Sequence, residues 1–212
     1  CSRNELRSLP KLPDSLEILY CENNKLTSLP ELPESLKVLN CARNELISLP
    51  KLPESLKNLD CSWNKLIGFS ELETNGEKDL SLPKSLEILN CDCNNIKEIY
   101  NLPNNIKILS CESNLLEKIS KLPKNLKYLH CGENKLRYLP ELPNNLKLLN
   151  CNHNSLITLP KFPNSLKYLY CLRNKLTNLP NLPKNLKKFY CSCNKLTSLP
   201  SNLIKLRNLK EV

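Results

Sequence analysis

The fold class read from the sequence is a β-solenoid: short parallel strands stacked on one side, joined by extended returns with little or no helix. Three observations carry it. An Asn follows a Cys by three residues ten times, from Cys1 to Cys191, and consecutive Cys of this set lie 20 residues apart in every step but one. Each unit contains apolar residues alternating with others, as on a strand. The remainder of most units reads Leu-Pro-x-Leu-Pro. Units of this size cannot bury their own apolar faces, so stacking is what makes a continuous core.

The unit Leu36 to Ser55 serves to number the repeat, with Leu36 as position one. Apolar residues stand at positions one, four, six, eleven, fourteen and seventeen (Leu36, Leu39, Cys41, Leu46, Leu49 and Leu52). The period of two turns Leu39 and Cys41 inward and Val38, Asn40 and Ala42 outward. Strands stacked in parallel lie about 4.8 Å apart, so ten copies span roughly 45 Å. The Asn at position nine is expected to point inward. Its amide carries both donors and an acceptor, enough to satisfy backbone groups of its own coil and the neighbouring one. Its role is structural, and stacked copies form a ladder. In the return, Pro fixes φ, donates no hydrogen bond and holds its predecessor extended, which excludes helix and favours a polyproline-like path. The Pro at position eighteen recurs in nine returns, from Pro13 to Pro183; at position fifteen Ser70, Tyr100 and Ser120 replace Pro.

The 212 residues read as one elongated domain, 1–212, of about ten repeats. The single 30-residue step, from Cys61 to Cys91, places ten extra residues near 72–81. They are polar and include Asn75-Gly76, which reads as a surface excursion on the return side. The chain has no Met, opens on Cys1 in mid-strand and stops inside another unit. There a 23-residue step, with Leu209 at position one and Val212 at position four, keeps Glu211 out of the core. Neither end shows the polar cap that solenoids need, so the chain reads as a piece of a longer array. No apolar run reaches membrane-spanning length, and no targeting segment is visible.

Twelve Cys in a small chain suggest a disulfide framework, but their positions argue against one. Ten share the inward position six, where Cys serves as a small apolar side chain. Neighbours in register stand about 4.8 Å apart at Cβ, whereas a disulfide prefers about 3.8 Å. Reduced thiols, and hence a cytoplasmic setting, are expected. The formal net charge is +10. Lys recurs at position two (Lys37, Lys57, Lys107, Lys127, Lys147, Lys167 and Lys187), with Glu17 and Glu87 as exceptions. Stacked, these form a basic stripe beside the sheet. It serves either solubility or attraction to an acidic protein or a phosphate backbone.

The segment L-x-x-L-x-C-x-x-N-x-L resembles the leucine-rich repeat, with Cys where many members carry Leu or Val. Its L-P-x-L-P-x-x-L continuation resembles the 20-residue class found in secreted bacterial effectors of the IpaH and YopM type. It is also similar to arrays in proteins of giant viruses and protists. The resemblance covers essentially the whole chain and implies a curved, right-handed solenoid with its sheet on the concave side. It implies no specific partner, because fold and function are separable. Some of those effectors carry a ubiquitin-ligase domain, and none is present in these residues.

On such a solenoid, identical positions report stacking, and partner choice falls to the positions that differ: three, five, seven and eight on the concave face. Two groups emerge there. One is C-terminal: Tyr128, Leu148, Tyr168, Tyr170, Leu172, Arg173 and Tyr190. Tyr and Arg bury large areas with a polar end and dominate interface energetics. The other is N-terminal: Tyr20, Arg43, Asp60 and Trp63, the only Trp. The alternative for both is plain cross-strand support of the sheet.

Chemistry finds little footing. Cys91-x-Cys93 and Cys191-x-Cys193 are five repeats apart, about 24 Å, too far to share a zinc ion. The two His, His130 and His153, occupy different repeat positions, and three Gly leave no phosphate-cradling loop. No catalytic residue, metal or cofactor is expected. The chain is read as a non-catalytic protein-interaction scaffold. The alternatives are the substrate-recognition part of a larger effector or ubiquitin ligase, and a polyanion or nucleic-acid binder acting through the Lys stripe. Nucleic acid ranks below a protein partner, no membrane role is expected, and oligomeric state is left open. The compartment is the cytoplasm, that of a host if the chain acts as an effector.

Overall fold

The computed structural model describes residues 1–69 and 82–212; the expected excursion at 72–81, together with Ser70, lies outside them. Eleven short strands follow in chain order: β1 (Ile18–Tyr20), β2 (Val38–Asn40), β3 (Asn58–Asp60), β4 (Ile88–Asn90), β5 (Glu98–Ile99), β6 (Ile108–Ser110), β7 (Lys118–Ile119), β8 (Tyr128–His130), β9 (Leu148–Asn150), β10 (Tyr168–Tyr170) and β11 (Lys188–Tyr190). Nine of them form one parallel sheet in the order β1-β2-β3-β4-β6-β8-β9-β10-β11. Every pairing joins equal repeat positions, as in Val38 opposite Asn58 and Leu109 opposite Leu129. A one-residue slip would expose every Leu of position four, so the apolar pattern itself locks the register. The 30-residue step keeps that register too: β3 pairs β4 with Leu59 opposite Leu89.

The core is a set of columns. Leu36, Leu39, Cys41 and Leu46 are fully buried, as are their equivalents through most of the stack. Each buried Leu contributes about 1.5–3 kcal/mol from removal of its surface from water. The inward Cys are buried from Cys21 to Cys171, and several thiols donate to a carbonyl of the next coil, as Cys61 Sγ to Asn90 O at 3.4 Å and Cys91 Sγ to Ser110 O at 3.3 Å. Burial pushes these thiols up, Cys21 to about 11. A buried thiol of high pKa is a poor nucleophile, so this column is packing material.

The inward Asn of position nine forms the ladder. Asn44 Nδ2 donates to the carbonyls of Cys41 and Ala42 in its own coil and of Cys21 in the preceding one, at 3.0–3.2 Å. Its Oδ1 accepts the N–H of Leu26 at 3.0 Å. The same four-point pattern recurs at Asn64, Asn94 and Asn114. One amide thereby satisfies buried backbone groups that the turn would otherwise orphan.

Two devices were not anticipated. All ten residues at position eight, from Arg3 to Cys193, have φ between 50° and 61°, and none is Gly. A left-handed residue breaks the alternation of the strand by one, which is why position nine faces in after six does. Each such residue is held by the stack, as when Arg43 N–H donates to Ser62 O at 2.8 Å. The second device is at position twenty, occupied by Ser or Asn in nine successive units, from Ser15 to Asn185. Ser55 Oγ donates to Leu36 O at 2.6 Å and Asn105 Nδ2 to Lys84 O at 2.8 Å, a second ladder on the return side.

The returns are extended, with two informative departures. β5 and β7 pair with each other in the two coils where Tyr100 and Ser120 stand in place of Pro at position fifteen. A Pro there would remove a backbone donor. After Pro200, Leu203 occupies the place of the second Pro, and the segment Ser201–Lys205 winds into a short 3-10 helix. The chain then returns to the sheet with Glu211 bridged to Lys188, the expected 23-residue step.

Candidate partner-binding face

The concave face is built from positions three, five, seven and eight. Positions three and five lie on the strands and flank the buried position four. Position seven follows the inward Cys, and its N–H is not used by the sheet ladder. Where position five is Asn or Asp, that side chain takes it: Asn40 Oδ1 accepts Ala42 N–H, and Asp60 Oδ1 accepts both Ser62 N–H at 3.1 Å and Ser62 Oγ at 2.7 Å. Asp60 thus holds its own turn on the concave face.

The C-terminal group is brought together. Tyr128, Leu148 and Tyr168 form one column in register, continued by Lys188. Tyr170 and Tyr190 stack in the next column, ring centroids 5.5 Å apart and planes 11° apart. Tyr190 Oη donates to Glu211, and Lys188 Nζ lies 2.9 Å from the same carboxylate. These bonds hold the Glu211 carboxyl below the usual range. Leu172 is partly exposed and its N–H donates to Asn152 Oδ1 at 2.7 Å; Arg173 is exposed on its left-handed turn.

The N-terminal group divides in two. The Arg43 guanidinium lies over the Trp63 ring, 4.9 Å from its centroid, both residues at position eight. Tyr20 and Asp60 instead line a groove of about 570 Å³ that crosses the face from β1 to β8. Its floor includes Val38, Ile88 and Ile108, and its polar wall Asp60, Asp92, Glu112 and His130.

That wall was missed from sequence. Asp92 Oδ1 accepts Glu112 N–H at 2.7 Å, and Oδ2 accepts Ser110 Oγ at 2.9 Å. Glu112 Oε1 accepts Asn150 Nδ2 at 2.5 Å, reaching past Gly132, where an added Cβ would stand 3.3 Å from that same carboxylate oxygen. His130 Nδ1 is 3.8 Å from Glu112. Burial raises the pKa of Asp92 and of Glu112, each further raised by neighbouring carboxylates, and burial lowers that of His130. Acidic residues in consecutive copies of position seven, Asp92 and Glu112, were the available signal.

The basic stripe is only partly free. Lys37 Nζ lies 2.6 Å from Glu17, and Lys107 Nζ 2.5 Å from Glu87. Cys93 is partly exposed and Cys193 exposed. Among the described residues no group of three His, Cys, Asp or Glu converges on a metal position, and no helix is long and apolar enough to cross a membrane.

No family model matches the chain, and no curated protein does. Solved structures do. YopM from Yersinia enterocolitica WA-314 superposes with a TM-score of 0.87 at 33% identity, over 99% of this chain and 48% of that one. YopM from Yersinia pestis, described as a leucine-rich effector protein, gives 0.86 at 34% identity, over 94% and 56%. A Shigella effector leucine-rich-repeat domain gives 0.55 at 32% identity, over 63% and 58%. The chain spans about half the length of the YopM chains it matches. With the 20-residue period, the parallel concave sheet and the extended returns, these likenesses identify the chain as a leucine-rich-repeat protein of the 20-residue class, similar to bacterial effector arrays.

Proposed function

We propose that the chain is a non-catalytic scaffold that receives a protein partner on its concave face. The principal contact is the C-terminal aromatic surface of Tyr128, Tyr168, Tyr170 and Tyr190, joined by Leu148, Leu172 and Arg173. The observation that carries this reading is the Tyr170–Tyr190 stack, a preordered pair of large amphipathic rings on a rigid sheet. Such groups bury much area while losing little side-chain freedom on binding. The Arg43–Trp63 pair, with Tyr20 and Asp60, offers a second contact region. Likeness to effector arrays supports a recognition role within a longer protein, including delivery of a substrate to a ligase; it is support by analogy of fold. An acidic partner is the class that the Lys stripe attracts, and its run Lys127, Lys147, Lys167 and Lys187 is where that attraction concentrates. The buried thiol column fits a reducing cytoplasm, a host's if the chain is an effector.

Partner capture tests the reading. The chain and its Tyr168→Ala/Tyr170→Ala/Tyr190→Ala variant are each immobilised and exposed to the same cytosol, with quantitative mass spectrometry of what is retained. A loss of at least about tenfold in the retained partner is expected, a change of ~1.4 kcal/mol or more. Equal recovery removes the aromatic surface from the reading. Capture lost instead in Lys127→Ser/Lys147→Ser, with steep salt dependence, assigns binding to the stripe.

A further inference from the structure

We propose that the groove at the centre of the concave face docks an extended, positively charged protein segment in which Lys or Arg alternates with aliphatic residues. This rests on the reading of the concave face as a binding surface and names the chemistry of the partner at one part of it.

Charge is the first argument. The chain holds 31 Lys and Arg against 21 Asp and Glu, yet among the described residues none of those cations lines the groove. Its ionisable wall is Asp60, Asp92, Glu112 and His130, and the exposed Glu133, bonded to Ser113 Oγ at 2.7 Å, stands one turn away. The partners of Asp92 and Glu112 are neutral donors: a serine hydroxyl, a backbone N–H and an Asn amide. Two partly buried carboxylates in consecutive coils, without a Lys or Arg partner, make a local field opposite in sign to that of the whole molecule. Keeping them disfavours the free protein, and a cation brought by a ligand relieves them.

Shape is the second. The carboxylates are spread over the coils of β3, β4 and β6, each step about 4.8 Å, and no three of these groups meet at one point. A single metal ion therefore finds no cage. An elongated ligand does find a match. Beside the acidic column runs the aliphatic one, Ile88 opposite Ile108 in register. A segment laid across the strands meets carboxylates on one side and branched aliphatic side chains on the other.

Calorimetric titration of the full chain tests this with three acetylated, amidated heptapeptides: Arg-Ile-Arg-Ser-Arg-Ile-Arg and its counterparts with Glu or Ser in place of Arg. The Arg peptide is expected to bind and the Glu peptide not. Asp92→Asn/Glu112→Gln is expected to weaken the Arg peptide at least tenfold, and Lys51→Ser/Lys121→Ser, at exposed positions of the returns, to leave it unweakened. The unfolding midpoint of each variant is measured alongside, so that loss of fold is not read as loss of binding. Absence of binding by the Arg peptide at millimolar concentration overturns the proposal. So does equal binding of the Arg and Glu peptides, or an unchanged affinity in the acidic-site variant. A failed titration with partner capture still dependent on Tyr168, Tyr170 and Tyr190 overturns the cationic groove alone; capture independent of those residues overturns the aromatic surface alone.

Discussion

The inward columns and the concave columns obey opposite rules. Inside, position nine is Asn in every coil, and each buried copy makes the same bonds, as Asn44 and Asn114 do. Outside, position seven runs through Ala42, Ser62, Asp92, Glu112, Gly132, Asn152 and Leu172 on one unchanging backbone. The inner groups answer to the coil above and below, so every copy faces the same requirement. The outer groups answer to solvent or to a ligand, so each copy is free to differ. Sameness in such an array therefore reports stability, and difference reports selection.

Four variants break or sharpen that contrast. Asn114→Ala removes the acceptor of the buried Ile96 N–H and the amide N–H donors that three carbonyls share, including that of Cys91 in the preceding coil. A loss on the order of 3–5 kcal/mol is expected, read from the denaturant midpoint, because unsatisfied buried groups carry their full desolvation penalty. Tyr170→Ala removes one ring of the surface stack and should lower stability by only about 0.5–1.5 kcal/mol while reducing partner capture. If the two losses were equal, the inner and outer columns would not differ in kind.

Asp92→Asn/Glu112→Gln reverses the sign. Burial lifts both carboxyls, so the folded state holds their protons more tightly than the unfolded chain does. Below the ordinary carboxylate range, about pH 4, both states are protonated and no penalty exists. As pH rises into and through the lifted range the folded state loses stability. The variant should thus melt above the parent at pH 7, and the gap should close near pH 4, by calorimetry at both values. The neighbouring His130, Asp60 and Glu133 are present in both proteins. A variant that melts lower at pH 7 would mean that the carboxylates serve the fold. Smallest of all, Glu45→Gln removes an exposed partner of Lys65 at 2.9 Å and should leave the midpoint unchanged within error.

The columns were legible because each is a residue type repeated at a fixed interval: Leu39, Cys41 and Asn44 declare the strand, the core and the ladder. The 23-residue step to Glu211 followed from keeping a charge out of the core. The left-handed turn was not legible, because Arg43, Trp63, Cys93 and Glu133 share no chemistry; geometry imposed by the stack selects the conformation there, and residue type does not. The Ser and Asn of position twenty recur at the same fixed interval, but two residue types share the one role there. The groove was hidden for another reason. Its acids are divided between positions five and seven, and only the register places Asp60, Asp92 and Glu112 on one wall.

The stacking itself is tested most directly by its thiols. Native protein treated with a thiol-alkylating reagent and mapped by mass spectrometry should react first at Cys1 and Cys193, more slowly at the partly exposed Cys93 and Cys191, and not at Cys21, Cys41, Cys61, Cys91, Cys111, Cys131, Cys151 or Cys171 until it unfolds. Alkylation of those eight at the rate of the exposed pair would contradict the stacked-column account.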